Sequence, residues 1–354
     1  MPKEVLYNKK NKADLLNDLK NEAFNRVTLS FYKYTKLKSL EKLRDSIYKN
    51  WFNLNVLGRV YIAKEGINAQ ISIPENNLKK FRVHIDSMKQ FHNVPFKTAF
   101  EEGISFLKLT VKIKNEIVAF NIDESEYDIT QVGNHLNYKE FNQAIDDGAI
   151  VVDMRNYYEG EVGKFENAII PDVEKSNDLL PEIRHLLSAN KKDKIIMYCT
   201  GGIRCEKASS YLLKQGFEDV NQLKGGIIQY ANDIKKHNVK SKFIGKNFVF
   251  DQRLGERITE DIKSSCHICQ NSCDDHTNCE NDACHILFIQ CQKCKKKYNG
   301  CCSLECKKIK ALPIEKQRKM RRENPEIAAP LIHHYRDRLK PKLIEMNEKK
   351  SKDL

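Results

Sequence analysis

Ten of the twelve cysteines lie between Cys266 and Cys306, and that clustering constrains the fold more than any other feature of the 354 residues. Spread through a small secreted chain, such a number would build a disulfide framework. Packed into one segment of a chain whose start, Met1-Pro2-Lys3-Glu4 followed by Lys9, Lys10 and Lys12, lacks the apolar stretch of a secretory signal, it points to metal ligation and to the cytoplasm. Cys266-His267-Ile268-Cys269 and Cys291-Gln292-Lys293-Cys294 are two Cys-x2-Cys knuckles twenty-one residues apart. Each presents two thiolates to one tetrahedral ion without strain, and a pair of them makes a zinc ribbon-like site. Cys266, Cys269, Cys291 and Cys294 are therefore the first candidates to ligate a structural zinc. Cys273, Cys279, Cys284, Cys301, Cys302 and Cys306, with His267, His276 and His285, offer enough further donors for a second four-ligand site, and spacing does not choose among them. Reduced thiols without metal, disulfides formed on oxidation and an iron–sulfur cluster stay open as alternatives.

Hydrophobic residues at 40% and charged residues at 31% describe a soluble globular protein, and the length predicts two or three domains. No apolar run approaches the roughly eighteen residues needed to cross a bilayer. A net charge of +13 favours polyanions, nucleic acid among them. Lys295, Lys296 and Lys297 just after the second knuckle, and Arg318, Arg321 and Arg322 beyond it, are candidate RNA-binding residues; a merely solvated basic face is the alternative.

Element patterns divide the chain into a polar lead-in (1–24), a first domain (25–125), a second (134–238), a Cys-rich basic module (245–325) and a basic helical tail (326–354). In the first domain, strands at Val27–Tyr32, Gly58–Ala63, Gln70–Ile73 and Ser105–Ile113 alternate with helices around Leu37–Ile47 and residues 75–90, with a turn over Lys64–Ala69. The order β-α-β-β-α-β is that of a ferredoxin-like, acylphosphatase-like unit. The second domain alternates apolar strands (Ala149–Val152, Lys194–Tyr198, Val220–Leu223) with helices, which predicts a doubly wound parallel α/β sheet with ligands at the C-terminal strand ends.

Cys199 stands at such an end. It follows an apolar strand and precedes Thr200-Gly201-Gly202-Ile203-Arg204-Cys205, which opens a helix. Glycines let backbone N–H groups turn inward, so Thr200, Gly201, Gly202 and Ile203 form an anion-cradling loop, and a thiolate at a helix N-terminus beside Arg204 has a lowered pKa. Cys-based phosphatases place Arg at the sixth position after the nucleophile. Here Arg204 is the fifth and Cys205 the sixth, so that chemistry is excluded.

The loop resembles that of the rhodanese superfamily, with Asp153-Met154-Arg155 after the first strand and Leu223-Lys224-Gly225-Gly226 before the last helix in support. Ala63-Lys64-Glu65-Gly66-Ile67-Asn68, Asp153 to Glu159, Cys199 to Lys207, Phe248-Val249-Phe250-Asp251-Gln252-Arg253-Leu254-Gly255-Glu256-Arg257 and the Cys-rich block narrow the resemblance to the tRNA uridine hydroxylases. It implies an oxidoreductase that makes 5-hydroxyuridine at the tRNA wobble position, with O2 as cosubstrate and tRNA as partner. It also implies Cys199 as the nucleophile, able to carry a persulfide, Arg204 stabilising its charge, and Asp153 with Arg155 holding the neighbouring loop. Cys205 is either a resolving thiol or a small residue packed at the helix start. The residues carry no flavin, haem or iron-triad motif and so name no electron donor. A sulfurtransferase passing persulfide sulfur from Cys199 to a small thiol or protein is the competing function, and a non-enzymatic RNA-binding module a third. Every catalytic version expects an ionised sulfur open to a large partner.

Overall fold

The structure is a computed structural model, and it describes residues 8, 10–173 and 175–328. The expected basic helical tail lies outside the described residues except for its first turn, α12 (Pro325–Ala328). Among the described residues no helix is long and apolar enough to cross a membrane. The chain divides into two compact units. One takes the residues up to Tyr157 with Phe165–Lys242 and Val249–Glu256, and the other takes Tyr158–Lys164, Phe243–Phe248 and the residues from Arg257 on.

The first unit opens with α1 (Lys12–Lys20), β1 (Arg26–Tyr34), α2 (Leu40–Asn53), β2 (Leu57–Ala63), β3 (Gly66–Pro74), α3 (Leu78–Ser87), β4 (Lys97–Thr98) and β5 (Leu109–Ile113). The strands form one sheet in the order β4-β1-β3-β2-β5. Alternation along β1 and β3 turns Leu29, Phe31, Ile71 and Ile73 inward against Trp51, Phe81 and Ile85 of the two helices. Trp51 is fully buried and is a core anchor.

Two sequence expectations are corrected here. The strand placed at Ser105–Ile113 as the fourth of the unit is shorter and runs parallel to β2 at the far edge. The strand beside β1 is instead the two-residue β4, with Ser30 opposite Lys97 and Leu29 opposite Thr98. Two residues leave no periodicity to read, so the pattern fell on the longer alternating segment. The expected turn over Lys64–Ala69 is confined to Lys64 and Glu65, because β3 already begins at Gly66. Glu65 then locks the surroundings: its carboxylate accepts from the Ile117 N–H (2.7 Å), the Tyr127 hydroxyl (3.1 Å) and Lys207 Nζ (3.1 Å).

The unit continues through β6 (Asn134–Leu136), α4 (Tyr138–Asp146), β7 (Ile150–Asp153), α6 (Ser176–Leu186), β9 (Lys194–Tyr198), α7 (Ile203–Lys214), β10 (Asp219–Leu223) and α8 (Gly226–His237). Its second sheet has the order β6-β10-β9-β7, with every pair parallel. Ile195, Met197, Val152 and Val220 bury their side chains with Leu179, Ile183 and Leu212 from the helices, the pattern of strands covered on both faces. This places the end of β9, where Cys199 follows, at the edge of the core.

The second unit takes most of α5 (Tyr157–Gly160) and β8 (Gly163–Phe165), then β11 (Phe243–Asn247), which pairs with β8, and β13 (His276–Asn278) antiparallel to β14 (Leu287–Ile289), with β12 (Glu256–Arg257) between β11 and β13 in sequence. Helices α9 (Gln292–Tyr298), α10 (Leu304–Lys310) and α11 (Ile314–Glu323) follow. Its apolar centre is small: Phe288 packs with Cys279, Cys284, Cys301, Cys302 and Cys306. Ion pairs tie the rest together, notably Asp274 with Arg257 (2.7 Å) and Lys246 (3.1 Å), and His267 Nε2 with Glu161 (3.0 Å).

Candidate active site

Local sequence shapes the Cys199 loop. Gly202 adopts φ +93°, which a side chain disfavours, and a Cβ there would lie 3.0 Å from the Tyr32 hydroxyl. At Gly226, with φ +69°, a Cβ would come within 2.5 Å of the Cys199 carbonyl oxygen and 2.7 Å of the Gly202 nitrogen. That second glycine lets α8 start against the loop, where the Ile227 and Ile228 N–H groups donate to the carbonyls of Cys199 (3.0 Å) and Thr200 (3.1 Å). The Gly202 N–H donates to Cys199 Sγ at 3.1 Å, and the backbone N–H groups of Arg204 and Cys205 also serve the sulfur.

Electrostatics follow from this cradle. Burial by itself would raise the Cys199 pKa. The hydrogen bond from Cys205, the Arg204 charge and the loop amides outweigh it and bring the value down to about 5, so the sulfur is a thiolate at neutral pH. Cys205 moves the opposite way, well above its ordinary value, through burial and the neighbouring thiolate, and stays a protonated donor. Arg204 is 8% exposed and its guanidinium reaches the Thr200 hydroxyl at 3.5 Å.

The expectation of an open sulfur is corrected. Cys199 is 0% exposed, because residues of the first sheet close over the loop. Tyr32 and Tyr34, alternate residues on one face of β1, donate to the Glu206 carboxylate (2.9 Å) and the Ile203 carbonyl (3.3 Å) at the start of α7. Lys97 on β4 places its ammonium 4.1 Å from the Tyr32 ring centre and its Cε beside Gly225. Burial lowers the Lys97 pKa to about 8, against the opposing charges of Cys199 and Glu206. Glu206 also accepts from His135 Nε2 (2.9 Å) and Gln222 Nε2 (3.1 Å). The Glu206 hydrogen bond is the main cause that raises the His135 pKa. Lys97, Tyr32, His135 and Glu206 were not read from sequence as site residues. A single lysine among 61 lysines and arginines gives no signal, and only strand pairing brings it to the loop.

Asp153 and Arg155 form a pair of their own at the end of β7, both fully buried. Arg155 Nε and Nη2 donate to the carboxylate at 2.8 and 2.6 Å, and the Tyr198 hydroxyl, one residue before Cys199, donates to it at 2.8 Å. Removing one partner strands a buried charge. Arg155→Met is expected to lower unfolding stability by about 3–5 kcal/mol, and adding Asp153→Asn should recover a large part of it. Chemical denaturation of the two variants checks this, and a single variant as stable as the parent would refute it.

In the second unit Cys266, Cys269, Cys291 and Cys294 come together, and so do Cys279, Cys284, Cys302 and Cys306, the sulfurs of each set lying within 4.8 Å of one another. Thiolates about 2.3 Å from a tetrahedral ion lie about 3.8 Å apart. The separations found are 3.6 Å for Cys269 to Cys291 and 3.7 Å for both Cys284 to Cys302 and Cys302 to Cys306. Both sets could therefore hold a metal ion, while Cys273, Cys301, His267, His276 and His285 belong to neither. The second set combines cysteines at irregular spacings that no knuckle pattern announces. Lys295, Lys296 and Lys297 lie exposed on α9; on α11, Arg318 and Arg322 are exposed and Arg321 is half-buried, 3.8 Å from Asp282.

Three family models match the chain: the UPF0176 acylphosphatase like domain over residues 26–117, the Rhodanese-like domain over 137–233 and the Rhodanase C-terminal over 244–307. A protein of Leptospira interrogans named tRNA uridine(34) hydroxylase is 51% identical over 322 residues, covering 90% of this chain and 88% of that protein. The chain belongs to the tRNA uridine(34) hydroxylase family. Relatives of the same name from Enterobacter sp. (strain 638) and Yersinia pestis (strain Pestoides F) are 45% and 47% identical, covering 96% and 90% of this chain and 98% and 92% of theirs. In this tRNA uridine(34) hydroxylase family member the Cys199 loop falls in the rhodanese-like match, Tyr32 and Lys97 in the acylphosphatase-like match, and both cysteine sets in the C-terminal match.

Proposed function

We propose that the chain hydroxylates C5 of the wobble uridine of tRNA, with Cys199 as the nucleophile and O2 as the oxygen source, one oxygen atom entering C5 and the other leaving as water with two electrons and two protons from an external reductant. The observation that carries this reading is an ionised sulfur in a backbone cradle, in a chain whose relatives of nearly equal length share one name. Because the sulfur is enclosed, this reading requires the residues that cover the loop to part when tRNA binds; addition of the thiolate to C6 then makes C5 electron-rich and open to an oxygen electrophile. Arg204 and the amides of the loop stabilise the sulfur while it is an anion and when it departs. Cys205 donates to the sulfur and is positioned to resolve an oxidised Cys199 as a disulfide. Asp153 and Arg155 hold the β7 end beside the loop. The two cysteine sets each hold a structural zinc, chosen by four thiolates in tetrahedral spacing, which supplies rigidity to the second unit and no chemistry at Cys199. Lys295, Lys296, Lys297, Arg318, Arg321 and Arg322 contact tRNA phosphates.

The same cradle suits a persulfide, so sulfur transfer is the second reading. One experiment separates them. The gene is expressed in a bacterial host that lacks its own enzymes for this modification, tRNA nucleosides are analysed by mass spectrometry, and the purified protein is assayed for cyanide-dependent thiocyanate. Hydroxylation predicts 5-hydroxyuridine in the tRNA. Rapid thiocyanate formation with unchanged nucleosides would reverse the assignment.

A further inference from the structure

A lysine is almost never fully buried unless it is paired. Lys97 is 9% exposed, yet among the described residues no carboxylate lies within ion-pair distance of its ammonium, whose close contact is the Tyr32 ring face. The two anions near enough to influence it are already served by others. The Cys199 thiolate takes its hydrogen bonds from Cys205 and the loop amides and its main opposing charge from Arg204, while Glu206 accepts from Tyr32, His135 and Gln222. Lys97 is thus a desolvated cation with donors to spare, held by β4 against Gly225, the residue that borders the nucleophile loop. Together with Tyr32 it covers the enclosed sulfur, so a base that reaches Cys199 is brought against it.

We propose that Lys97 is a catalytic residue, whose ammonium donates a hydrogen bond to the O4 carbonyl of the uracil ring that Cys199 attacks. The proposal rests on the reading of Cys199 as a nucleophile toward C6. In that step the Sγ–C6 bond forms, the C5=C6 π bond breaks, and its electron pair moves into the C4–O4 carbonyl to give an enolate. The sulfur begins as a thiolate, so no proton leaves it, and no oxidant enters. The charge on O4 grows as the bond forms, and a preorganised donor in a water-poor site stabilises that charge selectively.

The addition is reversible, and protonation of the enolate at C5 followed by loss of the original hydrogen exchanges that hydrogen with water. Exchange therefore reports the step without oxygen or electron donor. Full-length protein is incubated anaerobically with tRNA carrying uridine tritiated at C5, and tritium release is followed for the parent, Lys97→Met, Lys97→Arg and Cys199→Ser. Parental release is expected to fall at least about 100-fold in Lys97→Met, the loss typical of a deleted oxyanion donor, and to recover to within about tenfold in Lys97→Arg. The ultraviolet thiolate titration of Cys199 should keep its acidic midpoint in both. If Lys97→Met does not fold, Lys97→Gln carries the same expectation. Exchange within about threefold of the parent in either neutral variant overturns the proposal, as does a loss that vanishes once Cys199 is fully ionised at higher pH. If the parent itself shows no exchange, or Cys199→Ser exchanges equally well, the Cys199 reading fails and takes this proposal with it. Exchange that needs Cys199 but not Lys97 removes this proposal alone.

Discussion

Cys199→Ser should abolish 5-hydroxyuridine formation, by at least about three orders of magnitude, while tRNA binding is unchanged. The reasoning starts from ionisation. At neutral pH the cradle holds the parental sulfur as a thiolate, with a pKa near about 5, and a thiolate is the nucleophilic form. A serine hydroxyl in the same position stays protonated, because the carboxylate network beside the loop among the described residues, around Glu206, is committed to Tyr32, His135 and Gln222. Serine is close to cysteine in volume, so the fold should survive. Loss of activity with retained affinity is the signature of a group that acts in the reaction rather than in binding. The sign of the pH dependence is fixed as well. The difference in ultraviolet thiolate absorbance between parent and Cys199→Ser should rise as pH increases through about 5 and be flat at neutral pH, whereas an unperturbed cysteine would titrate near about 8.5. A midpoint near that ordinary value, or a Ser variant that still hydroxylates uridine at the parental rate, would refute the nucleophile.

Chelation of metal from the second unit should unfold it. That unit's buried apolar side chains, Phe243, Phe248, Phe288 and Ile289 among them, are few beside its cysteines, with ion pairs such as Asp274 to Arg257 around them. A small module of this kind cannot offset its conformational entropy by hydrophobic burial alone. Structural zinc binding supplies about 10–16 kcal/mol in small metal-dependent folds, and that binding energy is the folding energy. The expected result is two zinc ions per chain by elemental analysis, with loss of the module's amide hydrogen-exchange protection when a strong chelator removes them. Cys302→Ser should reduce the content to one ion, since Cys302 belongs to the second set and is fully enclosed. A metal-free protein whose second unit keeps its protection would refute the metal-dependent fold. The first unit, with its own cores, should keep its secondary structure in either case.

What the sequence determined by itself was local. The strand, glycine turn and helix around Cys199 are consecutive residues, so their conformational needs and the ionising effect of helix amides can be read from residue types in order. The same holds for the two Cys-x2-Cys knuckles, whose geometry is set within four residues, and for the apolar parallel strands. Tertiary structure decided the rest. Cys279, Cys284, Cys302 and Cys306 converge only because loops and α10 bring irregularly spaced residues together. The two-residue β4 has no period of its own, and only its pairing with β1 carries Lys97 beside Tyr32 and over the Cys199 loop. The enclosure of the sulfur likewise comes from residues more than a hundred positions away, Tyr32 and Lys97, on a different sheet. Bonds between neighbours along the chain leave a trace in sequence; contacts made by packing separate elements leave none until the chain has folded.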